Sequence, residues 1–135
     1  MVTDGTMTPN VNGRALVIDD QSDIRTLLRV QLRRAGFDAH TAGSVDEADR
    51  FIDGHDVDLI LLDIVMPEKD GFLFLDALKK QGAVPKVVVI TGGGRNMTPE
   101  FIENYSKALE ADAVLFKPFS QDDLRKTLSE LSFAI

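Results

Sequence analysis

The chain has 135 residues, a formal net charge of −7 and no cysteine, and these three facts exclude several classes of protein. The length is typical of one domain with a buried core. An acidic chain is a poor direct ligand for nucleic acid, because phosphate backbones are bound by clustered Lys and Arg. Without cysteine there are no disulfides and no thiolate metal sites, which is compatible with a reducing cytoplasm. We therefore expect a cytoplasmic protein without a nucleic-acid partner.

No membrane partner is expected either, because no apolar run approaches the roughly 18 residues of a spanning helix. The first residues have no basic start and no apolar stretch, so they do not resemble a signal peptide. Residues 1–13 lack periodicity and predict a loose tail. Residues 14–135 are interpreted as a single domain.

The pattern of the remaining chain predicts five successive strand–helix units. Apolar or alternating runs predict strands over residues 14–19, 37–42, 58–63 and 86–91, and a fifth strand at the start of the segment 113–119. Helical spacing and capping residues predict helices over 22–36, from Ser44, over 71–82, from Thr98 and Pro99, and over 120–131. This alternation is typical of a parallel sheet with helices on both faces.

The apolar content of the strands predicts their order in the sheet. The strands at 14–19, 58–63 and 86–91 are apolar throughout and should be central, because a central parallel strand is covered on both faces. The strand at 37–42 alternates apolar and polar residues and should lie at an edge. An order of 2-1-3-4-5 satisfies both conditions, and it gives a doubly wound α/β fold.

Polar side chains stand at the carboxyl ends of four predicted strands, where sites form in such sheets. They are Asp19 and Asp20, Asp63, Thr91 and Lys117. Two carboxylates about 4 Å apart repel by roughly 4 kcal/mol at an effective dielectric near 20. A divalent cation with oxygen ligands relieves this repulsion, and Mg²⁺ typically combines carboxylates with a phosphate oxygen. The group indicates phosphoryl transfer to a nucleophilic aspartate, assisted by an ammonium and a hydroxyl.

These motifs resemble the receiver domain of two-component response regulators. The resemblance covers about residues 14 to 131 and is carried, in order, by DD at 19–20, LLDIVMPEKDG at 61–71, VVVITG at 87–92 and FKPF at 116–119. It implies a flavodoxin-like fold and a phosphoacceptor role for Asp63. It also implies Mg²⁺, with Mn²⁺ as a substitute, bound by Asp20, Asp63 and the backbone carbonyl of Val65.

Further roles follow from the same resemblance. Asp19 would act on the metal mainly through a bound water, and Thr91 and Lys117 would contact the phosphoryl oxygens. The bond between Lys117 and Pro118 would be cis. The phosphodonor would be a histidine kinase or a histidine phosphotransfer protein, docked on the first helix and on the loop before the last one. The residues implicated in docking are Gln21, Asp23, Ile24, Leu27 and Phe119.

Two features depart from the family pattern. Val114 occupies the position of an aromatic switch residue, and the aromatic of this strand is Phe116. The loop after Thr91 is rich in glycine, and its GGGR sequence lacks the GK[ST] ending of a phosphate-binding P-loop. We expect phosphorylation to order residues 92–98 and shift the next helix, without a rotamer change in the last strand. The residues given conformational roles are Gly92, Gly93, Gly94, Val114, Phe116 and Pro118.

The expected function is a stand-alone receiver, because only SFAI follows Leu131. It would signal by protein contact, or act as a phosphate shuttle or sink, as a monomer or weak dimer and without turnover as an enzyme. One alternative is an aspartate-nucleophile phosphatase, which needs a second acid where Val65 stands. Another is a receiver-like binding module that phosphorylation does not regulate. The apolar excess of the first helix also permits a wide core face instead of a docking surface.

Overall fold

The computed structural model describes residues 10–64, 71–80, 85–92, 98, 100, 103 and 111–135. Within these ranges the chain forms a five-stranded sheet of order β2-β1-β3-β4-β5, in which every neighbouring pair is parallel. The strands are β1 (Arg14–Ile18), β2 (Asp38–Ala42), β3 (Leu59–Asp63), β4 (Lys86–Thr91) and β5 (Ala113–Phe116). The helices with described bounds are α1 (Ser22–Arg34), α2 (Val45–Gly54), α3 (Gly71–Lys80) and α4 (Gln121–Glu130).

The predicted fold class and strand order are confirmed. Side chains of the central strands alternate between two apolar layers, because successive residues of a strand point to opposite faces. Leu16 and Ile18 pack in the layer that includes α2 and α3. Ala15 and Val17 pack in the layer that includes α1 and α4. The sheet is therefore covered on both faces, as the unbroken apolar strands predicted.

The strand at residues 38–42 lies at the edge of the sheet, as its alternation predicted. Ala39 and Ala42 are buried, whereas Asp38, His40 and Thr41 are half-buried. The observed boundaries differ from the predicted ones by one or two residues. The difference that matters is at β1, which ends at Ile18 and leaves Asp19 as the first residue of the following loop.

The helix boundaries follow local capping chemistry. Gly36 has a φ of +93°, a conformation that favours glycine, just after α1 ends. The Ser44 hydroxyl accepts the Glu47 N–H at the start of α2, which is one of the two bonds of the predicted capping box. Glu100 and Glu103 are helical, but most of the helix predicted there lies outside the described residues. No helix in the described ranges has the length and apolar character needed to cross a bilayer.

The start of α4 is fixed by a reciprocal cap that the sequence analysis did not predict. The Ser120 hydroxyl accepts the Asp123 N–H, and the Asp123 carboxylate accepts the Ser120 N–H. Hydrogen bonds to the carboxylate, first from the Ser120 N–H and then from the Ser120 hydroxyl, lower the pKa of Asp123 below its ordinary value. The cap ties down the loop that begins at Lys117, because Ser120 is only three residues further along the chain.

At the amino end of the sheet, Arg14 links the starts of neighbouring strands. Its backbone N–H donates to the Asp58 carboxylate at 2.9 Å, and its Nε donates to Asp38 at 3.3 Å. Its Nη1 also donates to the main-chain oxygen of Asp56 at 3.1 Å. One side chain therefore links the starts of β1, β2 and β3.

Asn12 fastens the last residues of the chain to the same end of the sheet. Its amide donates to the carbonyls of Ala35 and Ala134 at 2.8 and 2.9 Å. Its Oδ1 accepts the Ala134 N–H at 2.7 Å. Phe133 packs edge-on against the buried Phe37, with ring centroids 5.0 Å apart. Of the predicted tail, residues 1–9 lie outside the described part of the chain.

Candidate functional site

Four strands deliver polar residues to one edge of the sheet. Asp63 and Thr91 are the last residues of β3 and β4, while Asp19 and Lys117 directly follow β1 and β5. In the sheet register Asp63 lies beside Ile90, and Thr91 lies beside Phe116. Because the strands are parallel, their carboxyl ends meet at the same edge. The structure therefore brings together the residues that the sequence placed at strand ends.

The Lys117 ammonium lies between two of the acids. Its Nζ donates to Asp19 Oδ2 at 2.8 Å and lies 3.6 Å from Asp63 Oδ2. The side chain of Asp19 is fully buried, and that of Asp63 is 9% exposed. A buried carboxylate costs free energy unless a charge or a hydrogen bond compensates it. Lys117 supplies that compensation to Asp19 and, at a longer distance, to Asp63.

Three carboxylates crowd at this edge. One oxygen from each of Asp19, Asp20 and Asp63 lies within 4.8 Å of the others. At that separation each pair repels by about 3 kcal/mol for an effective dielectric of 20. Lys117 offsets only one of the three negative charges. The residual charge, the hard oxygen donors and the partial exposure fit a divalent cation such as Mg²⁺ or Mn²⁺.

The loop that carries the acid pair is held from several directions. The Asp19 N–H donates to the Ala42 carbonyl at 3.1 Å, and Asp19 Oδ1 accepts the Gln21 N–H at 2.9 Å. The Arg25 guanidinium donates to the main-chain oxygen of Asp19 at 2.7 Å. Sequence reasoning missed Arg25. Its helical position alone does not show that its side chain turns back toward the preceding loop.

Gly71 is a second residue whose role sequence reasoning missed. It begins α3, and a Cβ at this position would lie 2.9 Å from the main-chain oxygens of Asp63 and Ile64. The Gly71 N–H donates to the Ile64 carbonyl at 3.3 Å. Only glycine permits this approach without a shift of the backbone that carries Asp63. The available signal was the glycine that ends the MPEKDG motif.

The loop after β5 has the backbone conformation that the resemblance implied. The bond between Lys117 and Pro118 is cis. The Lys117 N–H donates to the Thr91 carbonyl at 2.7 Å, which extends the pairing of β4 with β5 by one residue. The lysine thus stays in line with its strand while Pro118 and Phe119 turn toward α1.

An apolar groove of about 370 Å³ lies beside Lys117. Three of the residues predicted to dock a partner line it, namely Ile24, Leu27 and Phe119. Leu27 is 53% exposed, so the groove is open to solvent on that side. Gln21 and Asp23 are exposed near the start of α1 but do not line the groove. The other lining residues are Leu28, Gln31, Lys117 and Pro118.

The residues predicted to change conformation are only partly described. Val114 is half-buried in β5 and packs against the layer formed by α2 and α3, and Phe116 is half-buried at the end of the strand. Gly92 is exposed. Gly93, Gly94 and the carbonyl of Val65 lie outside the described residues. The structure therefore leaves the loop prediction and the third metal ligand as predictions.

The chain belongs to the response regulator receiver domain family, whose model matches residues 15–129. Two characterised relatives illustrate the similarity. The alkaline phosphatase synthesis transcriptional regulatory protein PhoP of Bacillus subtilis is 34% identical over 110 residues, which cover 82% of this chain and 44% of PhoP. The response regulator Rre1 of Synechocystis is 31% identical over 117 residues, which cover 86% of this chain and 50% of Rre1. The chain spans about half the length of these relatives.

Solved structures agree with this assignment. The chemotaxis protein CheY4 of Vibrio cholerae superposes with a TM-score of 0.77 at 30% identity, covering 87% of this chain and 97% of CheY4. A CheY-like response regulator receiver domain protein from Methanospirillum hungatei gives a TM-score of 0.78 at 26% identity, with coverages of 88% and 92%. The fold and the order of its strands are therefore those of a receiver domain.

Proposed function

We propose that this chain is a cytoplasmic receiver that accepts a phosphoryl group on Asp63 in a Mg²⁺-dependent reaction, and that it is not a turnover enzyme. The observation that carries the proposal is the group at the carboxyl edge of the sheet. Three carboxylates lie within 4.8 Å of one another, and the Lys117 ammonium lies 3.6 Å from Asp63. This combination suits a nucleophile, a metal and a phosphoryl oxygen in one place.

In the proposed step a carboxylate oxygen of Asp63 attacks the phosphorus atom of a phosphohistidine. The P–N bond breaks, and its electron pair stays on the imidazole, which leaves as a neutral ring when its other nitrogen carries a proton. Asp63 becomes an acyl phosphate. Lys117 and the Thr91 hydroxyl bind the phosphoryl oxygens. Later attack by water at phosphorus releases inorganic phosphate and restores the carboxylate.

The metal would be held by Asp20, Asp63 and the carbonyl of Val65, with Asp19 acting through a water. When bound, Mg²⁺ would neutralise the crowded carboxylates and the charge on the phosphoryl oxygens. Mn²⁺ could take its place, because it also prefers oxygen ligands. The three protein groups leave positions for water and a phosphate oxygen, which is the usual arrangement for Mg²⁺.

The donor is proposed to be a histidine kinase or a histidine phosphotransfer protein. The apolar groove between α1 and the Lys117–Phe119 loop supports this, since it contains the exposed Leu27 and is lined by Lys117, whose Nζ lies 3.6 Å from Asp63. Gln21 and Asp23 would contact the donor at the rim. The alternative interpretation of α1 as a wide core face is less well supported, because Leu27 and Val30 are 53% and 40% exposed.

For the output we propose a protein contact, or a role as phosphate shuttle or sink, by a monomer or weak dimer. The net charge of −7 supports a protein partner rather than nucleic acid for this domain. We further propose that phosphorylation orders residues 92–98 rather than turning an aromatic ring, because Val114 is β-branched and has few rotamers. Hydrogen exchange with and without beryllofluoride would test this. Unchanged exchange at 92–98 together with a rotamer change at Phe116 would contradict it.

The acceptor role is tested by incubation with acetyl phosphate and Mg²⁺, followed by intact-mass measurement. We expect a mass gain of one phosphoryl group that requires Mg²⁺ and is lost in Asp63→Asn, because an amide is a poor nucleophile. Asp53→Asn is the matched control, since it removes an exposed carboxylate from α2 and should label normally. Labelling of Asp63→Asn at the wild-type rate would show that the acceptor is wrongly assigned. A wild-type protein that no phosphodonor labels would instead favour an unphosphorylated binding module.

A further inference from the structure

Arg25 makes a contact that the proposed reaction does not use directly. Its Nη1 donates to the main-chain oxygen of Asp19 at 2.7 Å, and its side chain is half-buried. That oxygen belongs to the peptide group that joins Asp19 to Asp20. We propose that Arg25 is a positioning residue: it fixes this peptide plane and thereby aims the Asp20 carboxylate at the metal. The inference rests on the proposed function, because it takes Asp20 as a metal ligand.

The two acids of the pair differ in how they are held. Asp19 is buried, and its carboxylate accepts bonds from the Gln21 N–H and from Lys117. Asp20 is exposed, and in the described ranges its carboxylate has no hydrogen-bond or ion-pair partner. The direction of the Asp20 side chain in the metal-free protein therefore depends on its backbone. That backbone is set by the Arg25 bond on one side of the peptide and by the turn into α1 on the other.

Position and charge make opposite predictions for Arg25. A guanidinium bonded to the backbone of the acid pair repels a divalent cation at that site, so its charge alone weakens metal binding. If charge dominated, a neutral residue at this position would bind metal more tightly. If position dominates, the same substitution weakens binding, because the partners that orient metal ligands typically contribute about 10–100-fold in affinity. The sign of the change therefore separates the two effects.

Gly43 offers a second way to disturb the same contact. A Cβ at this position would lie 3.1 Å from Arg25 Nη1 and 3.3 Å from Glu47 Oε1. The guanidinium is held at 2.7 Å by the Asp19 oxygen, so the few tenths of an ångström by which it must give would disturb the geometry of that bond. We therefore expect Gly43→Ala to shift the guanidinium slightly without changing the net charge.

The test is a Mn²⁺ titration followed by electron paramagnetic resonance of the free ion, with Mg²⁺ as competitor. We expect Arg25→Met to lower the affinity for both ions by roughly tenfold. Arg25→Lys should recover most of the affinity, since it keeps the charge and one donor. Gly43→Ala should weaken binding less than Arg25→Met. Arg29→Met, which removes the same charge one turn further along α1, should bind at least as tightly as wild type.

Urea unfolding in EDTA separates positioning from a loss of stability. Arg25→Lys and Gly43→Ala keep the test decisive if Arg25→Met does not fold. Equal or tighter binding by a folded Arg25→Met, or wild-type binding by Gly43→Ala together with no rescue by lysine, would overturn the inference. It would leave the proposed function intact, provided that the wild type binds Mg²⁺. A wild type that binds neither ion would overturn both.

Discussion

The two ends of the β-sheet each gather three aspartates around one basic side chain, and they neutralise the charge in different ways. At the carboxyl end the acids are Asp19, Asp20 and Asp63, and the base is Lys117. At the amino end the corresponding residues are Asp38, Asp56, Asp58 and Arg14. The composition of the two ends is similar, but the distances between the carboxylates are not.

At the amino end two of the three carboxylates have partners within the protein. The Asp58 carboxylate accepts the Arg14 backbone N–H, and Asp38 lies beside both Arg14 and His40. Among the described residues only the carboxyl end brings three acids within 4.8 Å of one another. Carboxylates that are paired with separate donors hold neighbouring strands together. At the carboxyl end three carboxylates lie close together and the ammonium of Lys117 compensates a single negative charge, which favours the binding of a cation.

The largest effect should come from removing the base at each end. In EDTA, Lys117→Met should lower the free energy of unfolding by about 3–5 kcal/mol, because it leaves the buried Asp19 without its charged partner. Arg14→Met should cost only about 1 kcal/mol, because water can replace it around half-exposed acids. Urea unfolding measures both changes. Saturating Mg²⁺ should reduce the loss of stability in Lys117→Met but not in Arg14→Met. Equal losses in EDTA would remove the distinction between the two ends.

Substitution of one glycine at each end of the sheet should separate effects on stability from effects on phosphorylation. Gly71→Ala places a Cβ 2.9 Å from the backbone of Asp63 and Ile64, and it should cost about 1–3 kcal/mol. Gly13→Ala should cost a similar amount, since Gly13 has a φ of +89° and its Cβ would overlap the Asp58 carboxylate. Only Gly71→Ala should also slow labelling by acetyl phosphate. The control is Gly54→Ala, whose Cβ would meet nothing within 4 Å.

A smaller effect of opposite sign is expected from Asp20→Asn. In EDTA it should raise the free energy of unfolding by about 1 kcal/mol, because it relieves repulsion while leaving the Lys117 contacts in place; exposure of Asp20 limits the gain. The additional stability that Mg²⁺ gives the wild type should shrink in the variant. At the amino end Asp58→Asn should bring no such gain, since its carboxylate already accepts a backbone N–H. Thermal unfolding with and without Mg²⁺ would show whether repulsion is confined to one end.

The smallest effect concerns pH at the amino end. His40 and then Arg14 lower the pKa of Asp38 below its ordinary value. Asp38 therefore contributes stability that is present above the pKa of the unfolded chain and lost as pH falls through the lower, folded-state pKa. The contribution should be well under about 1 kcal/mol, because the side chain is 37% exposed. Urea midpoints between about pH 5 and pH 3 should fall less steeply in Asp38→Asn than in wild type.

Asp123 also has a lowered pKa, so the wild-type slope in this range contains its contribution as well. The difference between wild type and Asp38→Asn isolates the amino end. A variant whose midpoints follow the wild-type slope would show that Asp38 does not couple to folding.

The sequence predicted the parts of the molecule that depend on strand order. Asp19, Asp63, Thr91 and Lys117 each stand at the end of a strand, and the parallel arrangement then brings them to one edge. Apolar content alone was enough to place β1, β3 and β4 in the centre. Such predictions succeed because the alternation of side chains along a strand and the right-handed connection between parallel strands hold for almost any sequence.

The contacts that sequence did not reveal depend on directions in space. The reach of Arg25 back to the Asp19 carbonyl requires a particular rotamer and a gap at Gly43. The approach of Gly71 to the Asp63 backbone depends on the angle at which α3 enters. The links from Asn12 to Ala134 join residues 122 positions apart. Local patterns carry no information about such distances.

Asn12 has a mechanical consequence. The last helix, α4, starts beside Lys117 and ends near the residues that Asn12 grips, so its ten residues span about 15 Å between the acid edge and the opposite end of the sheet. Tilting α4 would strain the Asn12 hydrogen bonds to Ala134 and the packing of Phe133 against Phe37, which hold the chain just beyond the last turn of the helix. Motion of the Lys117–Phe119 loop that tilts α4 would therefore be resisted about 15 Å away, at the opposite end of the sheet.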